Sequence, residues 1–580
     1  MRGAGFSLRT ALDALREPKT RLKPRAGLSP PYVALLFAGI AVGQTVNIRV
    51  LATTDLHGNL FPYDYYTAKP APRGLAKIAT LIAQERRDNP NTLLVDCGDT
   101  IQGSPLETVH QAEILRGKMS PDPMTAAMNH LQYDAMTVGN HEFNYGLPNL
   151  RAARKNADFP WLAANVEGPS GFTPFVIKTI AGIRVAIIGV TTPAIPAWEK
   201  AGNYQGLRFT DPVAAVKKIA EGIRRNHRAD VILVTAHSGL DRDAKTGARF
   251  TLDLPNENLA YQIAQQTPVD AVIFGHTHSE LGSYSVGEVA MLQPRNWGMS
   301  LGELDLVLVR AGEGWKVSSK TSRVIPVTDA TPADESILAI GKPYHEAAEK
   351  YLAQPVADAK AALNATFARV EDTALIDAIQ TVELSEAKAQ VSFASAFDLN
   401  VTVPQGRVTV RQLAALYPYD NTLYRIAGTG KMIREALENA ARYFQSCQAS
   451  CTQGPLINPN VIGYNFDMAE GVSYEIDLRR PAGSRIVNLR FQGKPLDDGK
   501  PVDIAVNSYR AGGSAGYTMF VEAKVLWRSS EDIRDMMIRF FTEKGVLPAA
   551  PQDNWRVTPE AAHQELRREA TEQAAHPILR

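Results

Sequence analysis

A layered αβ chain with more than one domain is predicted by three observations. Short aliphatic or β-branched runs recur along the first 280 residues, helix-like segments separate them, and a polar island closes each run. The runs, in order, are NIRVLAT, NTLLV, YDAMTV, DVILV and DAVIF, and LAKIATLIAQERR is typical of what lies between them. Near-continuous apolar runs of this length read as strands covered on both faces, with helices as the cover.

The islands read TDLHGN (Thr54 to Asn59), DCGDT (Asp96 to Thr100), GNHE (Gly139 to Glu142), TAHSG (Thr235 to Gly239) and FGHTH (Phe274 to His278). In such sheets, ligand sites gather beyond the carboxyl ends of the strands. One site can therefore receive Asp55, His57, Asp99, Asn140, His237, His276 and His278. In Asp55-Leu56-His57 and His276-Thr277-His278, residues two apart on an extended chain point the same way. The donors are carboxylate, carboxamide and imidazole without thiolate, a set that suits Mn, Zn, Co or Fe(II). They suffice for two ions, and adjacent divalent ions are suited to cleaving phosphate esters. Asp96 and Glu142 read as braces for their turns and Cys97 as a packing residue, so all three stay outside the ligand set.

The chain has 580 residues, 45% of them hydrophobic, and a formal net charge of +1. With no basic domain, a nucleic-acid polymer is not an expected partner. Residues 1–43 combine seven basic and two acidic groups with the apolar run VALLFAGIAV (Val33 to Val42). This reads as a signal peptide or N-terminal extension, and the run is too short for a membrane span. Periplasmic or secreted location is expected, with no stable membrane span after processing. Cys447 and Cys451 are spaced for a small disulfide loop if the chain is exported. The expected boundaries are a catalytic domain over 44–330, a linker helix over 331–358, a second αβ domain over 359–548 and a tail over 549–580. Gly341 and Pro343 are expected to break the linker helix. The second domain carries aromatic islands among turn signals, LYPYDNTL, GYNFDMAEGVSYEIDL and NSYRAGG. Aromatics beside glycines can stack on flat bases.

The five islands resemble those of the calcineurin-like metallophosphoesterases, and more narrowly the 5′-nucleotidase family, over roughly residues 46 to 545. The resemblance implies an α/β (α+β) fold: a four-layer αββα domain joined by a linker helix to a 5′-nucleotidase-type C-terminal αβ domain. It implies two divalent ions, Mn, Zn or Co. Asp55, His57, Asp99 and His278 would hold one. Asp99, Asn140, His237 and His276 would hold the other, with Asp99 bridging. His141 matches the family's catalytic histidine.

YPYDN, YNFDMAEGVSYEIDL and NSYRAGG are similar to the bacterial 2′,3′-cyclic-nucleotide 2′-phosphodiesterase/3′-nucleotidase branch. That likeness implies small-molecule nucleotides as substrates and puts Tyr419 and Tyr509 at the base-stacking positions. GNHEFN places Asn144 where many 5′-nucleotidases have Asp, and ASAFDLN lacks their phosphate-gripping arginines; Arg407, Arg411 and Arg510 are the loose candidates. The rival readings are a 5′-nucleotidase or UDP-sugar hydrolase, a sulfur-oxidising hydrolase on the same frame, and a non-catalytic surface nucleotide-binding protein.

Overall fold

A computed structural model describes residues 44–575 apart from 118–120, 251–253, 420, 448–450 and 452–454. The signal-peptide expectation lies outside the described residues.

The apolar runs become strands. β1 (Thr45–Thr53), β2 (Thr92–Asp96), β3 (Ala135–Thr137) and β4 (Trp161–Leu162) run parallel. Antiparallel strands Ser300–Ala311 and Gly314–Pro326 complete this six-stranded sheet on the β1 side. A second six-stranded sheet contains parallel β5 (Ile183–Thr191), β6 (Val231–His237) and β7 (Ala271–Phe274).

Alternation along the strands decides the layering. Ile48, Val50 and Ala52 of β1 pack with Val185, Ile187, Val231 and Leu233, so the two sheets meet face to face. On the outer face of the first sheet, Leu51, Leu94 and Met136 pack under helix α1 (Leu75–Asp88) and helix α3 (Pro123–His130). On the outer face of the second, Ile188, Ile232 and Val272 meet helix α4 (Pro212–Arg225) and helix Ala260–Gln266. The result is four layers, αββα. Helix α2 (Pro105–Leu115) follows the DCGDT island, and Ser104 before it donates to the Gly58 carbonyl at 2.8 Å.

Helix α5 (Glu335–Leu352) leads to the second domain and is continuous through Gly341 and Pro343. The expected breaks are absent because packing outweighs the local cost of the proline. Ile337, Ala348 and Leu352 are fully buried, and His345 stacks on Phe61 at 4.5 Å. Gly341 serves close approach: a Cβ there would stand 2.6 Å from Leu60 Cδ2 and Phe61 Cε2.

The second domain has a five-stranded sheet whose central strand is Pro501–Asn507, and a four-stranded sheet. The stretch expected as a tail belongs to this fold. Strand Trp555–Thr558 pairs with Val472–Asp477, and helix Glu560–Ala575 follows. Trp555 is buried, and the Glu569 carboxylate accepts from the Leu456 and Ile457 amides. Polar composition hid a strand anchored by two residues. Cys447 and Cys451 form a disulfide. Among the described residues no helix is long and apolar enough to cross a membrane.

Candidate metal centre

All five islands leave the carboxyl ends of β1, β2, β3, β6 and β7, and their side chains converge. Donor atoms of Asp55, His57 and His278 lie within 4.8 Å of one another, and so do those of Asp99, His237 and His276. The backbone reaches this arrangement by turning sharply. Asp55, His57, Asp99, His276 and His278 all have positive φ, between 47° and 80°. The extended geometry expected for Asp-x-His and His-x-His is therefore corrected. The strands have ended, and each of these five donors sits in a left-handed turn that L-residues adopt at a cost of about 1–3 kcal/mol, whereas Asn140 is right-handed and His237 closes its strand.

Buried hydrogen bonds hold these turns. Glu142 accepts from the amides of Asp99 (2.8 Å), Gly139 (2.6 Å) and Thr100 (2.6 Å). Asp96 accepts from Thr53, Thr100 and the Gly98 amide. Both braces thus face backbone and hydroxyls.

The imidazoles are aimed through their second nitrogen, a common device at metal sites. His237 Nδ1 donates to the Cys97 carbonyl at 2.8 Å, which leaves Nε2 between Asp99 Oδ2 (2.9 Å) and Asn140 Oδ1 (3.0 Å). His57 Nδ1 lies 3.1 Å from the Gln102 carbonyl, and its Nε2 faces His278 Nε2 at 3.1 Å. His276 Nε2 meets Glu257 Oε1 at 3.1 Å. Asp99 stands between the groups, its Oδ2 also 3.9 Å from His57 Nε2 and 4.0 Å from His141 Nε2.

Electrostatics matches a cation site. Burial opposes ionisation of Asp99, yet His237, which faces its Oδ2 at 2.9 Å, outweighs it and holds the carboxyl well below its usual range. Burial lowers His57 to about 4, so it presents a neutral imidazole. Buried carboxylates crowded by histidines whose nitrogens face one another fit divalent ions. The two groups imply such ions.

His141 stands beside this cluster, its ring centroid 5.1 Å from that of His57. Its Nδ1 is 2.6 Å from Asn144 Oδ1, and Asn144 Nδ2 donates to Glu199 Oε2 at 2.6 Å. Glu199 is buried and also accepts from Asn203 Nδ2 at 2.9 Å. The carboxylate fixes the amide orientation, so Asn144 presents oxygen to the ring and Nδ1 carries the proton. Here lies the physical reason for Asn at this position: an aspartate would set two carboxylates in contact.

The second domain reaches the same place. Tyr509 stacks on Trp198 with centroids 5.3 Å apart and planes 10° apart, and Trp198 Nε1 donates to Ser514 at 2.9 Å. The Tyr509 hydroxyl lies 3.2 Å from His141 Nε2. A narrow cleft is lined by Asn140, Asn144, Trp198 and Glu199 on one side and Thr422, Tyr509 and Asp532 on the other. Tyr419 packs edge-on against Phe397 at 5.0 Å. Tyr417 and Phe466 are core, each 1% exposed, whereas Tyr464 is 37% exposed.

The arginine candidates do not reach the cluster. Arg510 is buried and paired with Asp467 at 2.7 Å, Arg411 with Glu349 at 2.8 Å, and Arg407 with Asp358 at 3.2 Å. Each is held by a carboxylate of its own. Sequence reasoning passed over Trp198, Glu199 and Glu257. The first two follow β5, whose end carries no His or Asp to draw notice.

Comparison with known proteins agrees with this architecture. Residues 48–280 match the calcineurin-like phosphoesterase family, and residues 355–522 match the 5′-nucleotidase C-terminal domain. The chain is 30% identical to the 2′,3′-cyclic-nucleotide 2′-phosphodiesterase/3′-nucleotidase of Salmonella typhimurium, over 92% of each chain. It is 31% identical to a trifunctional nucleotide phosphoesterase protein of Bacillus subtilis, across 92% of this chain and 41% of that longer relative. A Staphylococcus aureus structure assigned as a 5′-nucleotidase superposes with a TM-score of 0.76 at 27% identity, covering 88% of this chain and all of that one. Fold and site define a metallophosphoesterase. The chain belongs to the 5′-nucleotidase family of calcineurin-like metallophosphoesterases.

Proposed function

We propose that this chain is a dinuclear-metal phosphohydrolase that cleaves ribonucleoside 2′,3′-cyclic phosphates to 3′-nucleotides and then to nucleoside and phosphate. The observation that carries the reading is Asp99, whose Oδ2 lies 2.9 Å from His237 of one donor group and 3.9 Å from His57 of the other. The near full-length likeness to a cyclic-nucleotide phosphodiesterase/3′-nucleotidase supports the substrate class. In this reading Asp55, His57, Asp99 and His278 hold one ion, and Asp99, Asn140, His237 and His276 the other. Two divalent ions, when bound, supply Lewis acidity toward the phosphoryl group. Mn, Zn or Co suits these donors.

The chain's own residues do the rest. His141, with Nδ1 tied to Asn144, acts through Nε2 beside the cleft: with both ring nitrogens carrying a proton, it donates a proton or hydrogen bond to the leaving ribose oxygen. Tyr419 and Tyr509 stack on the base, and the reader and the metal centre belong to the second domain, with its C-terminal strand Trp555–Thr558 and helix Glu560–Ala575, and to the domain 44–330, on either side of the linker 331–358. Periplasmic or secreted location is part of the proposal, supported by the Cys447–Cys451 disulfide.

The test is metal dependence. Chelator-stripped protein should not hydrolyse bis-p-nitrophenyl phosphate, and Mn, Co or Zn should restore turnover. Full activity after verified removal of metal would refute the dinuclear reading. A 5′-nucleotidase is the second reading, favoured by the Staphylococcus aureus superposition; comparison of 3′-AMP with 5′-AMP separates the two.

A further inference from the structure

Behind the loop that carries His57 lies another set of donors, unused by the proposed reaction. Glu107 and His110 are one turn apart on α2, and Asp122 caps α3. They are 1%, 2% and 1% exposed. His110 Nδ1 is 3.8 Å from Glu107 Oε2 and 3.7 Å from Asp122 Oδ2, and donor atoms of all three lie within 4.8 Å of one another.

Each carboxylate meets a backbone amide, Glu107 that of Met124, yet keeps a buried oxygen without a partner. Asp122 Oδ1 accepts from the Thr125 amide at 2.7 Å, but Oδ2 has no hydrogen-bond partner. Glu107 Oε1 is likewise buried without one. Among the described residues no lysine or arginine forms an ion pair with either side chain. Burial and the facing Asp122 push the Glu107 carboxyl well above its usual range. Two carboxylates out of water require neutralisation, by a proton or by a cation.

Geometry favours a cation. Glu-x-x-His on one helical face is a recurrent metal-ligand spacing. Bonds of about 2.0–2.1 Å at a tetrahedral ion set ligand atoms about 3.4 Å apart, a few tenths of an ångström inside the separations seen here. We propose that Glu107, His110 and Asp122 bind one divalent transition-metal ion such as zinc, at a structural site separate from the phosphoesterase centre.

The location gives the site its role. A Cβ on Gly58 would stand 2.6 Å from Glu107 Cγ, so the cluster packs directly behind the His57–Gly58 turn. Tyr344 of α5 sets its ring against His110 at 5.8 Å and donates its hydroxyl to the Pro121 carbonyl at 2.7 Å. An ion here ties α2, the turn before α3 and α5 into one support beneath His57.

The experiment compares the intact protein with Glu107→Gln and Asp122→Asn after loading with zinc chloride and removal of excess. Asparagine caps helices as well as aspartate does, so Asp122→Asn leaves α3 its cap. Zinc per chain, read by mass spectrometry, should be one equivalent lower in each variant than in the wild type, whatever the phosphoesterase centre holds. Turnover of bis-p-nitrophenyl phosphate should persist. Zinc should raise the Tm of the wild type more than that of Glu107→Gln, as a ligand bound only by the folded state must. Without zinc, Glu107→Gln should melt no lower than the wild type, because the amide beside Asp122 needs no proton to stay neutral. Equal zinc content in wild type and both variants would overturn the proposal and leave a carboxyl pair sharing a proton.

Discussion

The phenol of Tyr509 lies 3.2 Å from Nε2 of His141, so a residue of the second domain touches the histidine beside the proposed metal donors. Asn144 oxygen faces His141 Nδ1 at 2.6 Å, which leaves Nε2 of the neutral ring as the acceptor of the tyrosine O–H. The atom proposed to assist the leaving oxygen is therefore engaged by the residue proposed to hold the base.

Two substitutions separate these roles. Tyr509→Phe keeps the ring on Trp198 and removes only the hydroxyl. A net hydrogen bond is worth about 0.5–1.5 kcal/mol, so kcat/KM on bis-p-nitrophenyl phosphate should rise roughly two- to tenfold by the usual conversion. Tyr509→Ala also removes the stacking face, worth about 1–3 kcal/mol per base. KM for 2′,3′-cyclic AMP and 3′-AMP should increase about five- to 150-fold, with little loss on bis-p-nitrophenyl phosphate. Equal loss on both substrates would make Tyr509 structural.

Asp99→Asn should lower metal content and abolish turnover together. One neutral oxygen cannot replace a carboxylate whose Oδ2 faces His237 at 2.9 Å and whose Oδ1 accepts from the His141 amide at 2.8 Å. A variant that keeps both ions and a normal rate would remove Asp99 from the bridging position.

The Asn144–Glu199 contact makes a sharper demand. Asn144→Asp sets a second carboxylate at the 2.6 Å contact with buried Glu199, and like charges so close cannot both ionise. The single substitution should lower kcat by about tenfold or more, up to the roughly 10²–10⁴ that a positioned acid supplies. Adding Glu199→Gln supplies an amide donor and should restore much of the rate. A single variant as fast as wild type would mean that the contact does not position His141.

The centre was legible in sequence to the extent that its donors are rare residue types at strand ends. Asp55, His57, Asp99, Asn140, His237, His276 and His278 could be picked out because apolar runs frame them. The left-handed backbone of five of them could not, since only some have a glycine neighbour and the turns depend on Glu142 accepting the Asp99 amide across the fold and on Asp96 accepting the Gly98 amide. Glu199 and Glu257 acquire their roles from tertiary proximity alone, and no period marks them. Pro343 argued locally for a break, and burial of the surrounding helix outweighed it. The strand at Trp555–Thr558 escaped because its neighbours are polar and it is only four residues long.

Stability should depend on pH through Glu383. Burial pushes this carboxyl up to about 8, opposed by the Ser392 hydroxyl and assisted by Asp467. Between its ordinary value near about 4.3 and 8, the folded chain holds a proton that the unfolded chain has lost. Stability must then fall as pH rises through that window, and the loss is complete above it. Each tenfold difference in proton affinity between the folded and unfolded chain is worth roughly 1.4 kcal/mol. Glu383→Gln should flatten the decline in Tm between pH 5 and pH 9, and an unchanged slope would exclude this carboxyl as its source.

Product analysis of the metal-loaded enzyme tests the central claim most directly. With 2′,3′-cyclic AMP as the starting substrate, chromatography should show 3′-AMP rise and then give way to adenosine and phosphate, while 5′-AMP supplied separately is consumed far more slowly. Rapid consumption of 5′-AMP with 2′,3′-cyclic AMP left intact would contradict the assignment and return the chain to the 5′-nucleotidase reading.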